Sequence, residues 1–328
     1  ARFCARKYGV AVSSGTAALE VAMGVLGLRP GDEVIMPTFT IISCPLAVIQ
    51  YGLVPVFVDA NPATWTIDTE KIEEKITSKT KAIMPVHIYG HPCDMDPIFR
   101  IAKKYNLKVV EDAAEAHGAE YRGARCGSFG DVSCFSFYAN KIISTGEGGM
   151  VVTDSKTYEE RAKLFRDLGF DKKRKFLHEV LAKNYRMTNL QAALGVAQVK
   201  NIRKLVRIKR TKAKYYTKRL QGVKGLQLPI EMPWAKSVYW MYGIVLNEST
   251  GYTAETFTKL LSKKGIGTRY FFYPLHLQPV LKKRGIKARG RYPVAERLFR
   301  QGLYLPSGLG LTFKEIDTVC LVIRKLLA

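Results

Sequence analysis

Acidic residues are scarce in this sequence. The 328 residues carry 28 Asp and Glu against 52 Lys and Arg, a formal charge of +24, and such an imbalance raises a polyanion as a partner, whether nucleic acid, a membrane surface or a phosphorylated substrate. Long apolar runs are missing too. Nothing approaches the roughly 20 residues that span a bilayer, and the opening Ala-Arg-Phe-Cys-Ala-Arg-Lys has no apolar signal core, so no membrane span and a cytoplasmic address are expected. The six cysteines (Cys4, Cys44, Cys93, Cys126, Cys134 and Cys320) include no CxxC pair, which argues against zinc or disulfide frameworks and leaves reduced, mostly buried thiols and no expected metal. Internal repeats and low-complexity tracts are absent. With 47% apolar residues the chain can bury a large core, which excludes disordered and fibrous classes.

The distribution of charge matters more than its sum. Between Lys200 and Lys224 stand eleven Lys or Arg and no acid, yet Ile202, Leu205, Val206 and Ile208 recur at helical spacing. This reads first as a long helix with one solvated basic face, and second as a docking surface for an anionic partner.

The first half alternates short apolar runs with helical patterns, the signature of a layered α/β domain. Strands are expected at 33–36, 54–58, 82–87, 108–111, 132–137 and 149–153. Helices are expected at 16–28, capped by Ser13 or Ser14 and stopped by Pro30-Gly31, from Asp68 or Thr69 onward, and at 94–105 and 156–168. Beyond the basic helix come a strand at 238–246, a helix at 254–264, a loop-rich stretch to Pro293 and a last helix at 312–327. A boundary near Arg210 gives a large domain, 1–209, and a smaller C-terminal α+β domain, 210–328. Phe3 to Val12 reads as the tail of a helix followed by a strand, so a preceding leader segment is expected.

Three segments carry chemistry. In FSFYANKIISTGEGGMVVTD (135–154) a strand delivers Ser136, a short loop presents Lys141, and Gly146, Gly148 and Gly149 allow close backbone approach. A lysine so framed can form a Schiff base; standing alone it is more simply a solvated loop lysine. In SSGTAAL (13–19) Gly15 and Thr16 open a helix, where free amides and the helix dipole bind phosphate, although an ordinary N-cap accounts for it equally. In LKVVEDAAEAHGA (107–119) an apolar strand ends in Glu111-Asp112. A carboxylate there points into the ligand crevice of an open α/β sheet, where Asp112 could pair with a pyridinium nitrogen or merely cap a turn.

Taken in order with NYRMTNLQAALG (184–195), these motifs resemble those of the DegT/DnrJ/EryC1/StrS family of sugar aminotransferases that use pyridoxal 5'-phosphate, over nearly the whole chain. The segment RYFFYPLHLQPV (269–280) is similar to the sugar-side loop of the branch that aminates GDP-4-keto-6-deoxymannose. The resemblance implies the type I fold of pyridoxal-phosphate transferases, a mostly parallel mixed sheet with helices on both faces plus a smaller C-terminal domain. It implies that Lys141 holds the cofactor, that Asp112 pairs with the pyridine nitrogen, that Gly15, Thr16 and Ser136 bind phosphate, and that Glu115 lies near the ring hydroxyl and substrate. Asn184 would reach the phosphate of a neighbouring subunit's cofactor, which implies a homodimer with shared sites, while Tyr273 and His276 fall in the sugar-contacting part. Arg269 and Arg186 are candidate diphosphate or interface contacts. The family commonly follows its PTFT-like motif with an aromatic that stacks on the ring; here Ile41 follows residues 37–40, so aliphatic packing, Phe39 or His87 is expected instead.

The chemistry implied is amino transfer in two halves. An amino donor, glutamate by the resemblance, leaves the cofactor as pyridoxamine phosphate, which then aminates the keto-sugar nucleotide, with Lys141 moving the proton in both directions. Two rivals stand beside it. Sugar dehydratases of the same family replace the lysine with histidine, and a polyanion-binding protein could reuse the fold; the joint presence of Lys141, Asp112 and Ser136 makes nucleic acid an unexpected partner.

Overall fold

A computed structural model describes residues 1–328 apart from Lys172, Lys175 and Glu179. Seven strands form the central sheet: β1 (Tyr8–Val12), β2 (Glu33–Pro37), β3 (Val54–Val58), β4 (Thr80–Ile83), β5 (Lys108–Asp112), β8 (Val132–Ser136) and β9 (Gly149–Thr153), the short β6 (Glu120–Tyr121) and β7 (Ala124–Arg125) lying outside it. Their order is β1-β9-β8-β5-β4-β2-β3. Pairings from β8 through to β3 are parallel, and β9 runs antiparallel to both β1 and β8. The strands β2, β5 and β8 are buried almost throughout, as expected where helices cover both faces of a parallel sheet.

Helix α1 (Gly15–Leu26) begins where Ser14 Oγ accepts the Ala17 amide at 3.0 Å. It stops at Gly27, whose φ of 69° ends the helix before the expected Pro30-Gly31. Helices α2 (Ser43–Ile49), α3 (Met95–Lys104) and α4 (Lys156–Arg166) complete the layers. Two expectations shorten. The run from 82 loses its ladder after Ile83 because Pro85 has no amide to donate, and pairing returns only as a bridge between Val86 and Asp112. The helix expected after Asp68 reduces to two three-residue turns, Thr69–Lys71 and Glu73–Lys75, because the chain must enter β4 at Thr80, whose hydroxyl takes the Thr77 amide at 2.9 Å.

The basic stretch lies in α5 (Asn189–Leu220), 32 residues opened by a capping box between Thr188 and Gln191. Its Ile202 and Val206 pack in one core with the sheet, and its Ala213, Tyr216 and Leu220 in a second. Residue 210 thus sits inside one continuous helix that serves both cores. The second core lies under a four-stranded antiparallel sheet, β10 (Leu226–Gln227), β12 (Tyr242–Leu246), β14 (Gly302–Leu305) and β13 (Arg269–Tyr270), while β11 (Ala235–Lys236) pairs with β6. The strand expected from 238 starts only at Tyr242, since Tyr239 has a φ of 48° that no strand accepts. Helices α6 (Ala254–Lys263), α7 (Pro279–Lys283), α8 (Pro293–Gln301) and α9 (Phe313–Leu326) follow. The first core also takes in Val238, Trp240, Phe271 and Leu298 from the C-terminal stretch, so it is not confined to residues 1–209.

Candidate active site

A crevice of about 400 Å3 opens at the carboxyl ends of the parallel strands, the position at which open α/β sheets bind ligands. Asp112 closes β5 and Ser136 closes β8; Gly15 and Thr16 enter from the start of α1, Thr40, Ile41 and Ser43 from the turn after β2, and Trp240 and Tyr304 from the C-terminal stretch.

Lys141 stands in this crevice on a tight turn, its amide donating to the Tyr138 carbonyl at 2.9 Å. Its Nζ lies 3.7 Å from Glu115 Oε1 and 3.7 Å from the centroid of the Trp240 ring. Burial lowers the Lys141 pKa, against the pull of Glu115 and Asp112, which favours a free amine. Burial acts oppositely on Glu115, pushing it up to about 7 even though the Tyr89 amide donates to its Oε2 at 2.7 Å. A buried amine beside a carboxyl that titrates near neutrality can give and take protons at ordinary pH.

Asp112 is buried, and burial raises its pKa. The Ala114 amide donates to its Oδ1 at 3.0 Å and the Cys44 thiol to its Oδ2 at 3.3 Å, so the carboxylate is fixed at the strand end. At the other end the amides of Gly15 and Thr16 have no acceptor among the described residues. A Cβ on Gly15 would lie 2.6 Å from the Ser136 Cβ, so only glycine lets α1 approach β8 this closely. Free amides, a hydroxyl and a helix N-terminus make a phosphate cradle, and Asp112 supplies a buried acceptor for a ring N–H. The residues present therefore fit pyridoxal phosphate.

The sequence profile of the DegT/DnrJ/EryC1/StrS aminotransferase family matches residues 1–324. The chain belongs to that family. It is 43% identical to the GDP-perosamine synthase of Escherichia coli O157:H7, over 96% of this chain and 84% of the relative, and 40% identical to that of Caulobacter vibrioides, over 100% and 88%. Among solved structures, S. venezuelae DesV in complex with a ketimine intermediate aligns with a TM-score of 0.92 at 35% identity, over 99% of this chain and 86% of that one. The protein is accordingly an aminotransferase with the fold of the pyridoxal-phosphate sugar aminotransferases.

Of the residues singled out in the sequence, Gly15, Thr16, Asp112, Glu115, Ser136 and Lys141 meet in the crevice of this family member. Others do not line it. His87 is buried behind the sheet, accepting the Cys93 amide on Nδ1 (3.0 Å), which leaves Nε2 to donate to Glu111 at 2.8 Å. The same Glu111 also accepts the Gly127 and Phe129 amides and the Ser133 hydroxyl, so the His87–Glu111 pair locks the loop leading to β8. His87, Glu111 and Cys126 come close enough to hold a metal, but these bonds already occupy both ring nitrogens and the carboxylate. His276 is likewise buried, bonded through Nδ1 to Thr38 Oγ1 at 2.8 Å and packed on Tyr292. Tyr273 packs edge-on against Phe299. Asn184 and Arg186 are exposed, Arg186 pairing with Asp167. Phe39 is buried against Tyr89 and Phe271, leaving Ile41 and Tyr89 at the crevice wall. Arg269 lines a neighbouring cavity that also reaches Lys141.

Sequence reasoning passed over Thr40, Ser43, Cys44, Trp240 and Tyr304. Thr40 closes the PTFT motif and Ser43 and Cys44 lie within four residues of it, so the motif itself marks their place; Trp240 and Tyr304 arrive by tertiary packing alone.

Proposed function

We propose that this aminotransferase converts a GDP-linked 4-keto-6-deoxy sugar, GDP-4-keto-6-deoxymannose, into its 4-amino derivative with glutamate as donor. The observation that carries the reading is the meeting of Lys141, Glu115 and Asp112 in one crevice with the free amides of α1. The choice of sugar is supported by three relatives named GDP-perosamine synthase at 36–43% identity.

Bound in the cradle, pyridoxal phosphate supplies an aldehyde that condenses with amines and a ring that accepts the electron pair left when a proton departs. Gly15, Thr16 and Ser136 take its phosphate. Asp112, made more basic by burial, holds the proton on its ring nitrogen, and Cys44 and Ala114 hold Asp112. Lys141, whose burial favours the amine, would take the proton from the donor's α carbon and deliver it to the cofactor's aldehyde carbon across the shared nitrogen, and would run the same movement backwards on the sugar. Glu115, near half-protonation at neutral pH, stands 3.7 Å away to exchange protons with that amine. A lysine here, in place of the dehydratases' histidine, favours amino transfer.

The active form is a homodimer in this reading. Leu190 and Leu194 lie one turn apart on α5, 82% and 57% exposed, and Asn184 and Arg186 stand exposed just upstream. A second copy would cover this apolar stripe and receive Asn184 at its own cofactor; sedimentation should give a dimer, and Leu190→Glu with Leu194→Glu a monomer without turnover. All six cysteines are free and buried, which supports a reducing compartment, the cytoplasm.

Absorbance tests the whole reading. Near-visible absorbance from bound pyridoxal phosphate should be bleached by glutamate and restored by the GDP-linked keto sugar, with nitrogen in the product. Restoration only by a dTDP- or UDP-linked sugar would reject the substrate, and a nitrogen-free product would favour the dehydratase.

A further inference from the structure

The crevice does not end at Lys141. A second cavity of about 490 Å3 shares Asn140, Lys141, Trp240 and Tyr304 with the cradle, then passes Thr268 and Arg269 to reach Lys209 on α5 and Ser307 beyond β14. None of its lining residues is acidic, whereas Lys141, Lys209 and Arg269 are basic.

Lys209 is the odd member of the basic helix. The neighbouring Lys200, Arg203, Lys204 and Arg207 are exposed, but Lys209 is buried to 7% exposure. Its Nζ donates to the Trp240 carbonyl at 2.6 Å and to the Ser307 carbonyl. An ammonium has a third hydrogen to give, and among the described residues no carboxylate pairs with it. Burial and the nearby Lys212 lower its pKa to about 7, the mark of a charge that no anion compensates. Among the described residues Arg269, on the same cavity wall, bonds through Nη1 alone to the Thr268 carbonyl at 3.1 Å, leaving most of its fork free.

We propose that this cavity is the carboxylate subsite for the amino donor, with Lys209 and Arg269 as its anion-binding pair. The inference rests on the aminotransferase reading above and adds the donor's location to it. A donor must bring its nitrogen to the place of Lys141 Nζ, and its α-carboxylate hangs from the adjoining carbon, so an anion site that opens directly onto Lys141 suits it. The diphosphate of a sugar nucleotide carries more charge and is held away from the keto carbon by the pyranose ring. One free ammonium N–H and one planar guanidinium match a carboxylate, single or paired, better than a diphosphate.

Glutarate is the probe, since it has the donor's two carboxylates and no amine to react. Calorimetric titration into the cofactor-loaded dimer should show binding that weakens at least tenfold in Lys209→Met and in Arg269→Gln. Lys209→Met strips two carbonyls of their donor and can unsettle the fold; Arg269 is exposed, and its variant should keep the wild-type melting temperature. No glutarate binding by the wild type, or unchanged affinity in both variants, overturns the subsite. Variants that keep glutarate but lose reaction with the GDP-linked keto sugar assign the cavity to the diphosphate and overturn it as well. A wild type that binds glutarate in this Arg269-dependent way, yet aminates no keto sugar, supports the subsite and rejects the functional reading instead.

Discussion

The amine of Lys141 lies 3.7 Å above the Trp240 ring, and the Trp240 indole N–H donates to the carbonyl of Asn140, the residue before Lys141, at 2.8 Å. One side chain thus faces the reacting nitrogen and anchors the turn that carries it. A ring face favours the charged amine by about 0.5–2 kcal/mol, partly opposing the burial that discharges it. Trp240→Leu should therefore lower the amine's pKa further, moving the pH profile of cofactor loading to lower pH by roughly 0.4 to 1.5 units, since a unit is about 1.4 kcal/mol. Lys141→Ala should abolish turnover altogether; a normal rate in that variant would remove the mechanism.

Gly15→Ala tests the phosphate cradle. The new methyl group would meet Ser136 Cβ at 2.6 Å, and neither partner is the far end of a flexible chain, so α1 must draw back from β8. The amides of Gly15 and Thr16 then lose their aim. Affinity for pyridoxal phosphate, read from absorbance on titration, should fall about tenfold or more, which is a loss of roughly 1.4 kcal/mol, while far-UV circular dichroism stays native.

The cradle was legible in the sequence because each part is local: a capped glycine, an acid at a strand's end, a lysine in a glycine-flanked loop. The histidines were not. His87 follows Pro85, where the ladder breaks and the alternation of faces is lost, so position along the run no longer tells which way the ring turns. His276 sits on a three-residue turn, Leu275–Leu277, and its partner Thr38 is far away in sequence. Trp240 and Lys209 also reach Lys141 only through packing of the C-terminal stretch on α5, which no spacing encodes. The spacing of the basic run implies a solvated face, and Lys209 departs from it by turning inward.

His276→Ala separates a packing role from sugar recognition. The ring bonds Thr38 through Nδ1 and the part-exposed Glu296 through Nε2 at 3.3 Å, and packs tilted on Tyr292 with centroids 4.3 Å apart. Its removal should cost about 1–3 kcal/mol in urea unfolding. KM for the keto sugar should stay within about twofold, a change of only a few tenths of a kcal/mol. A large rise in KM at unchanged stability would return His276 to the sugar site.

Glu115 makes the stability of the cofactor-free protein depend on pH in a stated direction. Burial raises its pKa from 4.5 to about 7, so between those values the folded chain binds more protons here than the unfolded chain does. Stability from this group is complete below pH 4.5 and is lost as pH rises through about 7. A shift of this size corresponds to on the order of 3 kcal/mol, reduced wherever Lys141 is charged and pairs with the new carboxylate. Glu115→Gln cannot ionise and should flatten that fall, so urea midpoints of wild type and variant should converge near the acid end and separate, with the variant higher, toward neutral pH. Parallel curves would mean that Lys141 compensates the charge fully, and that the pair ionises together as an ammonium carboxylate.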